Sequence, residues 1–173
     1  MNLDRELLLL DSRRIDGLGS ILDAPQHQKS LTFAADETAP GTARRFTRDV
    51  LTAWGAEDLL DDVVLIVSEL ATNAERHGCH LAHHDGVEES KHRRHRDEIT
   101  LTLALQAGVV GIEVEDNSPE PPVPRIASPY ATGGRGLLLV SAVADAWTAC
   151  PKQDGSGKRV IAFVKRPGTS LTP

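Results

Sequence analysis

Glu69, Asn73 and His77 fall four residues apart along a run with helical periodicity, so their side chains line up on one face. An amide oxygen such as that of Asn73 is a hard ligand suited to Mg²⁺ beside phosphates. A carboxylate one turn away can orient or deprotonate a nucleophile. On most helices such a row is only a solvated surface, and it becomes a site when other groups are brought to the same place. Two further groups are candidates. Asp116 ends a run in which Val110, Ile112 and Val114 share its parity, which turns a carboxylate toward the core and demands a hydrogen-bonding partner. Taken alone, it reads better as the turn-capping start of a proline-rich loop. Gly133-Gly134-Arg135-Gly136 stands directly before a helical run, where small residues let backbone N–H groups approach a phosphate and the helix dipole favours its charge. It is not a P-loop, because no Gly-Lys-Ser or Gly-Lys-Thr follows, and its spacing is not that of a dinucleotide fingerprint.

These groups meet only if the surrounding elements fold in a particular way. Leu31, Phe33 and Ala35 alternate with Thr32 and Ala34 as in a short strand, so regular structure is expected to begin at Leu31, after a flexible extension over residues 1–30. Pro40 suits a first helical turn, and Ala43, Phe46, Val50, Ala53 and Trp54 carry a helix to Gly55. A second helix starts near Glu57 and Asp58, whose charges suit an N-terminus. It runs to Gly78 with Leu60, Val63, Val67, Leu70 and Ala74 as its apolar stripe. Ile99 to Gln106 and Val109 to Asp116 read as an antiparallel hairpin about Ala107-Gly108. Five prolines between Asn117 and Thr132 exclude regular structure there. After Gly133, Gly134 and Gly136, the run Leu137, Val140, Val143, Ala144 and Trp147 reads as a third helix merging into a strand near Trp147 to Cys150, and Val160 to Lys165 closes the sheet.

Helices and strands are mixed, with no repeating strand-helix-strand unit, which predicts an α+β two-layer sandwich with helices on one face of the sheet. A chain of 173 residues holds one domain of ordinary size. Its 25 acidic against 19 basic residues give a net charge of −6 and disfavour direct nucleic-acid binding. No apolar run is long enough for a membrane span, the acidic start is unlike a signal peptide, and Cys79 and Cys150 form no disulfide framework. A cytoplasmic protein is expected.

The three groups also occur in a recognisable order. Glu69-Leu70-Ala71-Thr72-Asn73-Ala74-Glu75-Arg76-His77-Gly78, then Asp116-Asn117-Ser118, then Gly134-Arg135-Gly136-Leu137 resemble the N, G1 and G2 boxes of the GHKL ATP-binding superfamily. Within it the chain is similar to the bacterial anti-sigma-factor serine/threonine kinases. The resemblance implies a Bergerat fold, with helices on one face of a mixed, mostly antiparallel sheet, over residues 31–166 and a C-terminal tail at 167–173. It also implies ATP and Mg²⁺ as cofactors. Glu69 would be the catalytic base and Asn73 the magnesium ligand. Asp116 would take the adenine amino group, giving a preference for ATP over GTP, and His77, Gly134, Arg135, Gly136 and Leu137 would complete the nucleotide site. The partners implied are a sigma factor, a small anti-anti-sigma (STAS) protein phosphorylated on serine or threonine, and a second copy in a homodimer. Arg44 falls near where such proteins contact sigma.

The chain departs from the family pattern in three places. The G1 box lacks its glycines, reading Asp116-Asn117-Ser118-Pro119-Glu120, so the proline-rich lid over 117–133 is expected to close incompletely. Where a Gly-Thr segment often borders the nucleotide, Gly157-Lys158-Arg159 stands instead, crowding the site or supplying charge. An inserted loop over 79–98 carries His80, His83, His84, His92 and His95 among basic residues, and reads as solvated in preference to a zinc site because no paired-ligand spacing is present. The principal reading is an ATP-dependent serine/threonine kinase acting as an anti-sigma switch. The alternative is a nucleotide-gated binding module without phosphotransfer. A sensor histidine kinase is disfavoured, as there is no room for the dimerising phospho-acceptor helices.

Overall fold

The computed structural model describes residues 24–78, 97–118 and 136–169, with the backbone alone at 77 and 78. Five strands, β1 (His27–Ala34), β2 (Glu98–Gln106), β3 (Val109–Asp116), β4 (Ala146–Pro151) and β5 (Lys158–Lys165), form one sheet in the order β1-β2-β3-β5-β4. All four pairings are antiparallel. Helices α1 (Ala39–Ala53), α2 (Leu60–Gly78) and α3 (Gly136–Val143) supply the second layer, and a single 3-10 turn over Glu57–Leu59 leads into α2. The fold is thus the α+β two-layer architecture expected from the order of elements.

Alternation along the strands decides which face the helices cover. Leu101 and Leu103 of β2, Val110, Ile112 and Val114 of β3, and Val160, Ala162 and Val164 of β5 share one face, and all are buried against Val63, Ile66, Val67 and Leu70 of α2 in one core. The odd-numbered residues of β5 point the other way, and Phe163 joins Ala104, Val109 and Ala146 in a smaller cluster of buried residues on the opposite face. The β2–β3 hairpin turns through Ala107 (φ 49°) and Gly108 (φ 76°), the two left-handed residues of a type I′ turn whose twist matches the strands. Gly55, at φ 63°, ends α1, where its N–H bonds the Thr52 carbonyl and Ala56 N–H returns to Leu51.

Two expectations are corrected. Among the described residues regular structure begins at His27, ahead of Leu31, so residues 27–30 belong to the sheet and not to a flexible extension. The cause is a polar ladder with no apolar signal: Ser30 Oγ lies 2.8 Å from Thr102 Oγ1, and Thr32 Oγ1 lies 2.9 Å from Thr100 Oγ1. Glu98, expected in the inserted loop, is instead the first residue of β2, where it pairs with Ala34 of β1. The histidine-rich residues 79–96, the segment 119–135 and residues 1–23 lie outside the described residues, and so do the expectations placed on them. Among the described residues no helix is long and apolar enough to cross a membrane, and no group of three metal-ligating side chains is present.

Arg166, just beyond β5, ties the sheet to the entry of α2. Its guanidinium donates to Asp58 Oδ2 (2.7 Å) and Oδ1 (3.0 Å) and to the Gly55 carbonyl (2.8 Å). The hydrogen bond from Arg166 holds the Asp58 carboxyl below its ordinary pKa. Its contribution to stability is therefore present above the unfolded carboxylate value and is lost as pH falls through the depressed folded one. The acidic start of α2 thus has a specific partner in addition to the helix dipole.

Candidate functional site

Helix α2 carries Glu69 and Asn73 on the side turned from its buried stripe, and both are partly exposed. What stands over them is the first residue of α3. An ideal Cβ on Gly136 would lie 2.6 Å from Glu69 Oε2 and 3.5 Å from both side-chain heteroatoms of Asn73. The N-box row and the start of the G2 helix are therefore in contact, and glycine is the residue that allows it. Helix α3 is held there by Leu137 and Val140, both buried in the core, and Trp147 of β4 donates its indole N–H to Ser141 Oγ at 2.8 Å. Leu137 thus gives its side chain to packing, leaving its backbone N–H in the first turn of α3 as the group a ligand could use. Gly134 and Arg135 lie outside the described residues, as does the side chain of His77.

Gly136→Ala tests this contact. The clash falls on the end of a flexible side chain, so the expected result is a melting temperature close to wild type with Glu69 displaced. If Glu69 is the base, phosphotransfer falls by about 100-fold, the scale of a roughly 1 Å misplacement of a reacting group. Thermal melts and a transfer assay on the same preparation check both halves.

Asp116 sits at the end of β3 on the core side, 3% exposed, as its parity requires. Its partner is Lys158, the first residue of β5 and its register neighbour, also buried at 5%. The Lys158 ammonium lies 3.0 Å from Oδ1 and 3.0 Å from Oδ2, and Oδ1 also accepts the Ser118 N–H at 2.8 Å. This close approach of β5 depends on Gly157, where a Cβ would overlap the Asp116 carbonyl oxygen. Sequence reasoning required a partner for Asp116 and, separately, noted charge at Lys158; it did not join the two, because they stand 42 residues apart and meet only through the β3–β5 register.

Arg44, expected near a partner contact, lies on α1. Its guanidinium donates to Ser68 Oγ at 2.9 Å, bridging α1 to α2 one residue before Glu69.

The donors present bear differently on an ATP-magnesium group at the two ends of the site. At the α2–α3 contact it fits: a carboxylate, an amide oxygen and a glycine whose missing Cβ leaves the space beside them. At the Asp116 end a buried acceptor is present, but it is already paired with an ammonium.

Comparison with known proteins gives the family and the fold. Residues 33–164 match the model of a histidine kinase-like ATPase domain family. No curated protein matches the chain. Among solved structures, the RsbU and RsbW domains of Rv1364c from Mycobacterium tuberculosis are similar, with a TM-score of 0.54 at 22% sequence identity. The match covers 82% of this chain but 32% of that one, so the likeness is one of fold. The family match spans every described strand but part of β1 and β5, together with all three helices, and the chain belongs to the histidine kinase-like ATPase domain family.

Proposed function

We propose that this domain binds Mg-ATP at the α2–α3 contact and phosphorylates a serine or threonine of an anti-anti-sigma (STAS-type) partner, and that it sequesters a sigma factor when the partner does not intervene. The observation that carries the reading is the approach of Gly136 to Glu69 and Asn73, which joins a candidate base, a candidate magnesium ligand and a glycine-started helix N-terminus. In this reading Asn73 holds the Mg²⁺ through its amide oxygen. The ion, when bound, neutralises charge on the phosphates. Glu69 accepts the hydroxyl proton of the substrate serine as its oxygen bonds to the γ-phosphorus and ADP departs. Asp116 accepts a hydrogen bond from the base, and the first-turn N–H groups of α3 face the phosphates. The resemblance of the three boxes supports the partner classes, a cytoplasmic setting and a homodimer.

The test is transfer of radiolabel from γ-labelled ATP to candidate STAS proteins. The expected result is label on the STAS protein that is stable to acid, as a phosphoserine or phosphothreonine is. Label on histidine, or none with any partner, would contradict the reading.

A further inference from the structure

We propose that Lys158 sets the nucleotide selectivity of this site: its ammonium competes with the base for the Asp116 carboxylate, lowering affinity for adenine nucleotides and weakening discrimination against guanine nucleotides. The inference deepens the nucleotide-site reading above and rests on it.

Lys158 Nζ spans both Asp116 oxygens at 3.0 Å, and Oδ1 accepts the Ser118 N–H as well. Three acceptor positions of the carboxylate are thereby taken, out of roughly four. The pair is shielded from water, with side chains only 7% and 4% exposed for Lys158 and Asp116. It is also held in register: Asp116 and Lys158 are Cα partners, and Gly157 lets the β5 backbone close on the end of β3.

An adenine amino group is a neutral donor to the carboxylate, whereas the ammonium brings a full opposite charge to 3.0 Å from both oxygens. Adenine therefore finds one lone pair open and takes the rest of the carboxylate only by drawing the ammonium off it, and a buried ammonium without its counter-charge is costly. Guanine meets a different edge. A bare carboxylate repels its O6 acceptor, but an ammonium beside the carboxylate donates to O6 while the remaining lone pair of Asp116 accepts from N1–H or the 2-amino group. The pair thus removes part of the reason for an Asp to prefer adenine.

The test is calorimetric titration of wild type, Lys158→Met and Lys158→Thr with ATP and with GTP, each chain first shown to be folded by its melting curve. The expected result is ATP binding at least about tenfold tighter in the variants, equivalent to about 1.4 kcal/mol, with no such gain for GTP, so that the ATP-to-GTP affinity ratio rises. An unchanged ratio in a folded variant would overturn the proposal. A second measurement needs no variant: in wild type labelled with ¹⁵N at lysine Nζ, the protected ammonium of Lys158 should shift or lose its protection from exchange on saturation with Mg-ATP. An ammonium left unmoved at saturation overturns the proposal just as firmly. If no folded chain, wild type included, binds either nucleotide, the nucleotide-site reading itself fails and the inference with it.

Discussion

Asp116→Ala is expected to destabilise the fold by about 3–5 kcal/mol, because it leaves the Lys158 ammonium buried without its counter-charge. That is a large share of the ~5–15 kcal/mol that separates a folded domain from its unfolded chain. The effect belongs to the broken pair and not to the carboxylate alone, so the double variant Asp116→Ala with Lys158→Met should recover most of the loss. Urea unfolding of the three chains measures this directly, since the slope should stay constant while the midpoint moves. A single variant within about 1 kcal/mol of wild type would show that the ammonium finds water or another acceptor. A fall in ATP binding by Asp116→Ala has to be read against this loss of fold.

Glu69→Gln has the other large expected effect, and it falls on rate. Glutamine retains the shape and the hydrogen-bonding capacity but cannot take a proton, so under the proposed function transfer to a STAS-type protein should drop by about 10²–10⁴-fold, the range for a positioned general base. ATP binding and melting temperature should stay near wild type, because Glu69 is partly exposed and makes no buried ion pair. Asn73→Ala should separate from it by making ATP binding insensitive to Mg²⁺. Transfer at the wild-type rate by Glu69→Gln would place the base elsewhere.

Much of this architecture was legible in the sequence, for a physical reason. The stripe Val63, Val67, Leu70 and Ala74 repeats at helical spacing because one face of α2 must lie on the sheet, and all four are buried. The parity of Val110, Ile112 and Val114 put Asp116 on the core side because side chains alternate along a strand without exception over so short a run. Ala107-Gly108 announced the hairpin because its turn needs positive φ. The start of β1 was not legible, since His27, Gln28, Lys29 and Ser30 are all polar and offer no apolar alternation. Nor was the Arg166 clamp on Asp58 and Gly55, whose partners lie more than a hundred residues away in sequence.

The candidate site divides in the same way. The N-box row was visible because its spacing is local to one helix. Its contact with Gly136 and the closure of Lys158 on Asp116 are tertiary, set by how α3 packs and by a strand register that no local pattern encodes. Gly157 shows the consequence: in sequence it is one of 14 glycines, and in the fold it is where the ends of β3 and β5 approach too closely for any side chain.

The central claim is that nucleotide binds between α2, the start of α3 and the ends of β3 and β5. The most direct test is a titration of ¹⁵N-labelled protein with Mg-ATP, following backbone amides and the Asn73 side-chain amide. The account predicts that the largest shifts fall on Asn73, Ser118, Gly136, Leu137 and Lys158, with the Phe163 side of the sheet unmoved. Saturable binding whose shifts fall on that opposite face, or no binding at millimolar ATP, would contradict it.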